Sequence, residues 1–296
     1  VATTTIKNVI SGTPVKNGLY AIQIRQGTGS TNPWSTAETA YFVIRRTPSA
    51  TDKVLICYPW STTVAYSGAW ASHVNIYDTP DWQRARAVSR DRPLDTQKLD
   101  VTTEFPFLME QFVRAYDSGS LGVDVCTSFD LFEDANLFDD YNLLISVGHD
   151  EYWSKEMSDA VKAFVEGGGN VAFFSANTAW WQARFENSGR TLVCFKSAVE
   201  DDETNTSELT GNFCSPPSVE ENTLTGVSYR RGTQGYSSTP YTVLASTDPY
   251  GYLSGVTGTF GPDGIFYLET DAAEFESRDG THLATGIDGS PRNFEV

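Results

Sequence analysis

Short apolar runs alternate with helical segments through the middle of the chain, and this alternation most restricts the fold. The runs are five or six residues long: Lys53–Tyr58, Val123–Thr127, Leu143–Val147 and Asn170–Ser175. Helices are predicted over Val101–Tyr116 and around Lys155–Glu166, the latter ended by the glycines at 167–169. Because continuous apolar strands alternating with helices are typical of sheets buried on both faces, we predict an α/β fold with a mainly parallel sheet flanked by helices.

The regions on either side of this core have the patterns of β-structure. Gly18–Arg25 alternates apolar and polar residues, and Ala40–Arg45 forms a second strand-like run after a polar loop. Two strands alone do not make a stable unit. Residues 1–50 are therefore predicted to be an N-terminal β segment, either the end of a β-sandwich or an appendage packed on the main domain. Residues 51–296 are predicted to form the α/β core domain, with β-rich insertions after residue 197 such as Tyr241–Ala245 and Gly264–Leu268.

The charge balance argues against several kinds of partner. The chain has 21 basic and 38 acidic residues and a formal net charge of −17. Nucleic-acid binding needs clustered Lys and Arg, which this sequence lacks, so no nucleic acid and no anionic membrane surface is expected as a partner. No run approaches ~18 apolar residues, so no membrane span is predicted. The acidic run Glu200–Glu203 indicates a solvated loop, with a calcium site as the less favoured alternative because its spacing is not that of an EF-hand.

The four cysteines do not form a CxxC pair, which argues against a zinc ribbon or a thioredoxin-type motif. Cys57 and Cys126 lie within apolar strand runs and are predicted to be buried. Cys194 and Cys214 flank a polar segment. They are expected to form a disulfide if the protein is secreted and to remain reduced if it is cytoplasmic.

Polar and aromatic side chains gather where predicted strands end. Five of them follow the run Leu143–Val147: His149, Asp150, Glu151, Tyr152 and Trp153. In open α/β sheets, ligands bind at the carboxyl ends of the strands. His149 and Glu151 are two residues apart, so in an extended segment both side chains project to one side and could share a metal ion. The alternative is a loop histidine beside a helix N-cap acid. Residues 58–70 and 175–182 follow two further strand ends, and the convergence of three such loops favours a binding site.

Neither a GxSxG nor a GxCxG elbow is present, so an α/β-hydrolase or a thiol amidotransferase is not supported. The residues that carry a family resemblance are 148–157 and 168–178, together with 77–82 and 194–196. These segments resemble the large (beta) subunit of N,N-dimethylformamidase and its relatives, over about residues 18–275. The resemblance implies a core similar to class I glutamine amidotransferases, without their cysteine nucleophile.

The resemblance also implies a mononuclear iron, in the ferric state, with another divalent metal as the alternative. The family's tyrosine, histidine and glutamate ligands fall on Tyr66, His149 and Glu151. The other pocket residues that it implies are Asn177, Lys196 and Glu269. Two departures are present: Ser67-Gly68-Ala69 stands where the family usually has Asn-Asn-Trp after the tyrosine, and Ala176 replaces the usual glycine before Asn-Thr. The pocket is therefore expected to accept a different substrate or to have lost its activity.

The function that this implies is a metal-dependent amidohydrolase that cleaves a small amide at its C–N bond. Glu269 would serve as general base, while Asn177 and Lys196 orient the substrate or stabilise the oxyanion. A small partner subunit or a second copy of the chain is the expected macromolecular partner. The alternatives are a non-catalytic binding or structural subunit of a larger, extracellular assembly, and a glycan-related protein that stacks sugars on Tyr152, Trp180 and Trp181.

Overall fold

The structure is a computed structural model, and it describes residues 17–24, 38–45, 53–68, 74–77, 84–92, 94, 109–111, 113–115, 122–213, 221–226, 228–233, 241–243, 259–260, 270–272, 284–285 and 291–292. The strands are β1 (Gly18–Ile24), β2 (Glu38–Ile44), β3 (Val54–Tyr58), β4 (Ala87–Ser89), β5 (Val123–Thr127), β6 (Leu143–His149), β7 (Tyr152–Ser154), β8 (Asn170–Ala176), β9 (Trp181–Glu186), β10 (Thr191–Val193), β11 (Gly211–Asn212), β12 (Ser228–Thr233), β13 (Tyr241–Val243), β14 (Thr259–Phe260), β15 (Thr270–Ala272), β16 (Ala284–Thr285) and β17 (Pro291–Arg292). The helices are α1 (Trp60–Tyr66), α2 (Ser128–Glu133), α3 (Lys155–Glu166) and α4 (Asn222–Thr225). Residues 109–111 and 113–115 are also helical, within the predicted helix Val101–Tyr116.

A four-stranded parallel sheet in the order β5-β3-β6-β8 forms the centre of the fold. Its strands are the four apolar runs. The prediction of an α/β protein with a parallel sheet is therefore confirmed for this central sheet. β6 and β8 run side by side to their last residues, His149 and Ala176, which are paired in register. The polar loops that follow these strands therefore start from adjacent positions at one edge of the sheet.

One face of the central sheet packs against helix α3. Leu55, Cys57 and Leu144 on this face share a buried cluster with Met157 and Val161 of the helix. Each such aliphatic side chain that folding removes from water contributes roughly 1.5–3 kcal/mol. The helix starts where Ser154 accepts a hydrogen bond from the Met157 backbone N–H at 3.3 Å, which satisfies one of the unpaired donors of the first turn.

The opposite face of the sheet carries the N-terminal hairpin. β1 and β2 pair antiparallel, and Leu19 and Val43 pack on the cluster around Ile56, together with Met109 and Val113 of the helical residues. Polar contacts add to this attachment, since the Asn17 side chain donates to the Val123 carbonyl oxygen at 3.0 Å. Arg45 forms ion pairs with Asp130 and Asp134 of the segment after β5.

A second sheet includes the residues that follow the loops after β6 and β8. It has the order β11-β9-β10-β4, and β7 joins it by pairing in parallel with β9. These short strands were not expected from the sequence. Since β7 begins directly after Glu151 and β9 begins at Trp181, this sheet joins the loop after β6 to the loop after β8.

The acidic run Glu200–Glu203 is not simply a solvated loop, so that prediction was wrong for one of its residues. Asp201 is buried and accepts hydrogen bonds from Arg184 Nη1 at 2.9 Å and from the Thr210 hydroxyl at 2.7 Å. An arginine and two donors from Thr210 therefore satisfy its carboxylate, and no calcium ion is needed to compensate its charge.

The later part of the chain contributes short antiparallel sheets, namely β12-β15 and β14-β13-β16-β17. The predicted strand Gly264–Leu268 lies outside the described residues. Cys57 and Cys126 are buried, as predicted, and Cys194 is also a buried free thiol, whereas Cys214 lies outside the described residues. Within the part of the chain that the structure describes, no helix is both long and apolar enough to cross a membrane.

Candidate functional site

Hydroxyl groups of helix α1 hold the loop between β6 and β7. Thr62 Oγ1 accepts hydrogen bonds from the backbone N–H groups of Glu151 at 2.9 Å and Tyr152 at 3.2 Å. Ser61 Oγ donates to the Tyr152 carbonyl oxygen at 2.6 Å. Both hydroxyl residues are fully buried, so water cannot replace these bonds. As a result, the loop is fixed against the helix that ends at Tyr66.

Tyr66 and Glu151, two of the predicted metal ligands, are in direct contact. The Tyr66 hydroxyl donates to Glu151 Oε2 at 2.5 Å, and both side chains are buried. Burial, followed by the nearby Glu151 charge, raises the pKa of Tyr66 well above its ordinary value. The His149 ring centroid lies 6.1 Å from that of Tyr66. The structure thus brings the three predicted ligands together, although Tyr66 is more than 80 residues from the other two in sequence.

Asn177 lies beside His149 at the end of β8. Its Nδ2 is 3.3 Å from His149 Nε2. The Asn177 backbone has a φ of +52°, a left-handed conformation that asparagine tolerates better than most other residues. The neighbouring Ala179 N–H donates to the Asp150 carbonyl oxygen at 2.9 Å, which ties the Asn177 loop to the His149 loop.

Lys196 reaches the same region from the segment after β10. Its Nζ lies 4.7 Å from the Trp181 ring centroid, 5.2 Å from that of Tyr152 and 5.4 Å from that of Tyr77. Aromatic faces attract a cation at these distances. The Lys196 backbone is also left-handed, with a φ of +58°, and strained conformations of this kind cluster at functional sites. The ammonium group therefore lies over three aromatic rings, and one of these, the indole of Trp181, also contacts Glu151.

The two neighbouring carboxylates of the motif have different surroundings. Whereas Glu151 contacts Tyr66, Asp150 accepts a hydrogen bond from Ser146 Oγ at 2.7 Å. Complete burial raises the pKa of Asp150 to about 6, although Ser146 and Trp153 oppose this shift. Asp150 is thus a fully buried residue held by Ser146, and the sequence alone did not distinguish it from Glu151.

Glu269, the predicted general base, lies outside the described residues. Among the residues that are described, no three His, Cys, Asp or Glu side chains cluster as metal ligands. The predicted set contains two residues of these types, and its third member is a tyrosine. Tyr152 is fully buried, which argues against its predicted role in stacking on a sugar.

Two residues that contact Glu151 were missed as site residues by sequence reasoning. Thr62 belongs to the hydroxyl run Ser61–Thr63, which starts three residues after the end of β3 and lies within the buried helix α1. Trp181 donates its indole N–H to Glu151 Oε1 at 2.9 Å. The only sequence signal for Trp181 is its position in the loop after β8, which suggests a sugar-stacking residue.

Residues 5–293 match the family described as N,N-dimethylformamidase beta subunit-like, C-terminal. The chain belongs to this family. The match includes every residue of the candidate site, and it confirms the resemblance that was based on the His149 segment. No curated protein matches this chain. Since the family is named after a subunit of an amide-cleaving enzyme, an amidohydrolase is the class of activity that it suggests for this N,N-dimethylformamidase beta subunit-like chain.

Proposed function

We propose that this chain is a metal-dependent amidohydrolase that cleaves the C–N bond of a small amide. The observation that carries the proposal is the 2.5 Å contact between Tyr66 Oη and Glu151 Oε2, with the His149 ring beside it. A phenol oxygen, a carboxylate and an imidazole are a donor set that suits iron in the ferric state, and other transition metals accept the same ligands. Family membership supports the amide as substrate.

Within this proposal, Tyr66, His149 and Glu151 would hold the metal, which would supply a Lewis acid and an activated water. The chain's own residues supply the remaining functions. The Lys196 ammonium is a charged donor for the oxyanion that develops when an amide carbonyl is attacked. The Asn177 amide can donate to or accept from the substrate amide and so orient it. Glu269 is proposed as the general base on the strength of the family resemblance.

The proposal is tested by hydrolysis of a panel of small amides, including N,N-dimethylformamide, with the released amine measured. We expect the iron-loaded wild type to be active and Lys196→Met to lose roughly 10²–10³-fold in kcat with a small change in KM, as for removal of an oxyanion donor. Lys162→Met, which removes an exposed lysine on α3, is the matched control and should retain full activity. An inactive iron-loaded wild type, or full activity in Lys196→Met, would contradict the proposal. The first result would favour a non-catalytic binding subunit.

A further inference from the structure

Trp181 lies between Glu151 and Lys196 and contacts both. Its indole N–H donates to Glu151 Oε1 at 2.9 Å, while its ring centroid lies 4.7 Å from Lys196 Nζ. We propose that Trp181 is a positioning residue that makes Glu151 bind metal through Oε2 alone and couples this carboxylate to Lys196. The inference rests on the proposed function, because it concerns how the chain would hold the metal.

The two oxygens of the Glu151 carboxylate have different partners. Oε2 faces Tyr66, the other oxygen donor of the proposed ligand set, at 2.5 Å. Oε1 accepts the Trp181 indole N–H, a donor that cannot become an acceptor and cannot ionise at ordinary pH. A carboxylate fixed at both oxygens cannot rotate freely. The indole occupies one of the two lone pairs of Oε1, whereas Oε2 faces the phenol of Tyr66, so the geometry favours a metal bond through Oε2.

The backbone around Trp181 holds the indole in this position. The Trp181 N–H donates to the Glu151 carbonyl oxygen at 2.9 Å, so this residue contacts Glu151 through both main chain and side chain. Trp181 also pairs with Tyr152 of β7 on one side and with Asn212 of β11 on the other. A tryptophan held by two neighbouring strands is a rigid donor, as a residue that orients a metal ligand needs to be.

The contact with Lys196 extends the effect of Trp181 to the proposed oxyanion donor. A cation on an indole face is attracted by the ring, and tryptophan gives the strongest such attraction among the aromatic side chains. The same ring that fixes the carboxylate therefore also fixes the distance between Glu151 and the ammonium group. Trp181 thereby connects a proposed metal ligand to the proposed oxyanion donor.

Trp181→Phe separates these two roles, because phenylalanine keeps an aromatic face for Lys196 but has no N–H for Glu151. Loss of such a supporting hydrogen bond typically lowers metal affinity by about 10–100-fold. We expect a loss in this range for iron, measured by competition with a chelator. The tyrosinate-to-iron charge-transfer band should also shift, because Glu151 becomes a stronger donor when Oε1 is released. Trp180→Phe is the matched control: phenylalanine keeps an aromatic ring beside Trp181, whose centroid lies 5.8 Å from that of Trp180, so iron affinity and band position should stay at wild-type values.

The contact itself can be tested in metal-free protein by NMR of the indole N–H groups of the seven tryptophans. The indole signal of Trp181 is the one that disappears in Trp181→Phe. Glu151→Gln should move this signal upfield. If the signal does not move, or if iron affinity and band position in Trp181→Phe equal those of the wild type, the inference is overturned while the proposed function stands. If the wild type itself binds no metal, the proposed function is wrong, and the role assigned to Trp181 is wrong with it.

Discussion

Replacing Thr62 with valine tests how the chain holds its candidate site. The substitution keeps the shape of the side chain and removes the oxygen that accepts hydrogen bonds from the N–H groups of Glu151 and Tyr152 at 2.9 and 3.2 Å. Each buried donor left without an acceptor costs about 1–3 kcal/mol. Allowing for some relaxation of the loop, we expect Thr62→Val to lower the free energy of unfolding by about 2–4 kcal/mol.

The assay is urea unfolding followed by circular dichroism, with unchanged m-values as evidence that both states keep their compactness. Thr191→Val is the matched control, because Thr191 accepts a bond at 2.9 Å from the exposed Asn187 side chain. Its loss should stay within about 0.5 kcal/mol, as for other surface changes. The reasoning about Thr62 would be refuted if its variant were no less stable than the Thr191 variant.

Two further predictions concern buried groups near the second sheet. Hydrogen bonds from Arg184 and Thr210 outweigh the effect of burial and lower the pKa of Asp201, so its stabilisation is present above pH ~4 and is lost as the pH falls further. Asp201→Asn should therefore cost about 3–5 kcal/mol at pH 7 and clearly less near pH 3 in urea unfolding, and an equal cost at both values would count against this ion pair. Burial raises the pKa of Cys194 to about 12, so iodoacetamide at pH 8 should label this thiol only after unfolding. Rapid labelling of Cys194 in native protein, located by mass spectrometry, would show that the thiol is accessible.

The central sheet was predictable because its signal is local. Each strand is a continuous apolar run, and the helix Lys155–Glu166 has a capping serine before it and glycines after it. The prediction failed where pairing is decided over long sequence separations. Tyr152–Ser154 was expected to lead directly into a helix, but it is a strand because it pairs with residues 181–183. Asp201 was expected to be solvated. Its partner, Arg184, is 17 residues away, so the local sequence around Asp201 does not indicate the ion pair.

The residue types of the candidate site were proposed from the sequence, whereas the residues that hold Glu151 in place were not. His149 and Glu151 were recognised from a strand end, whereas Tyr66 came from the family resemblance. The contacts that fix Glu151 come from Thr62 and Trp181, which are 89 and 30 residues away. No local pattern in a single sequence reports such contacts.

The central claim is that Tyr66, His149 and Glu151 form a metal site, and metal analysis with visible spectroscopy tests it most directly. Protein produced with added iron should contain nearly one iron per chain and show a tyrosinate-to-iron charge-transfer band. Tyr66→Phe should lose the band, and His149→Ala should lose the metal while its thermal unfolding stays cooperative. A wild type without stoichiometric iron or another transition metal, or a His149→Ala variant that retains its metal, would contradict the claim.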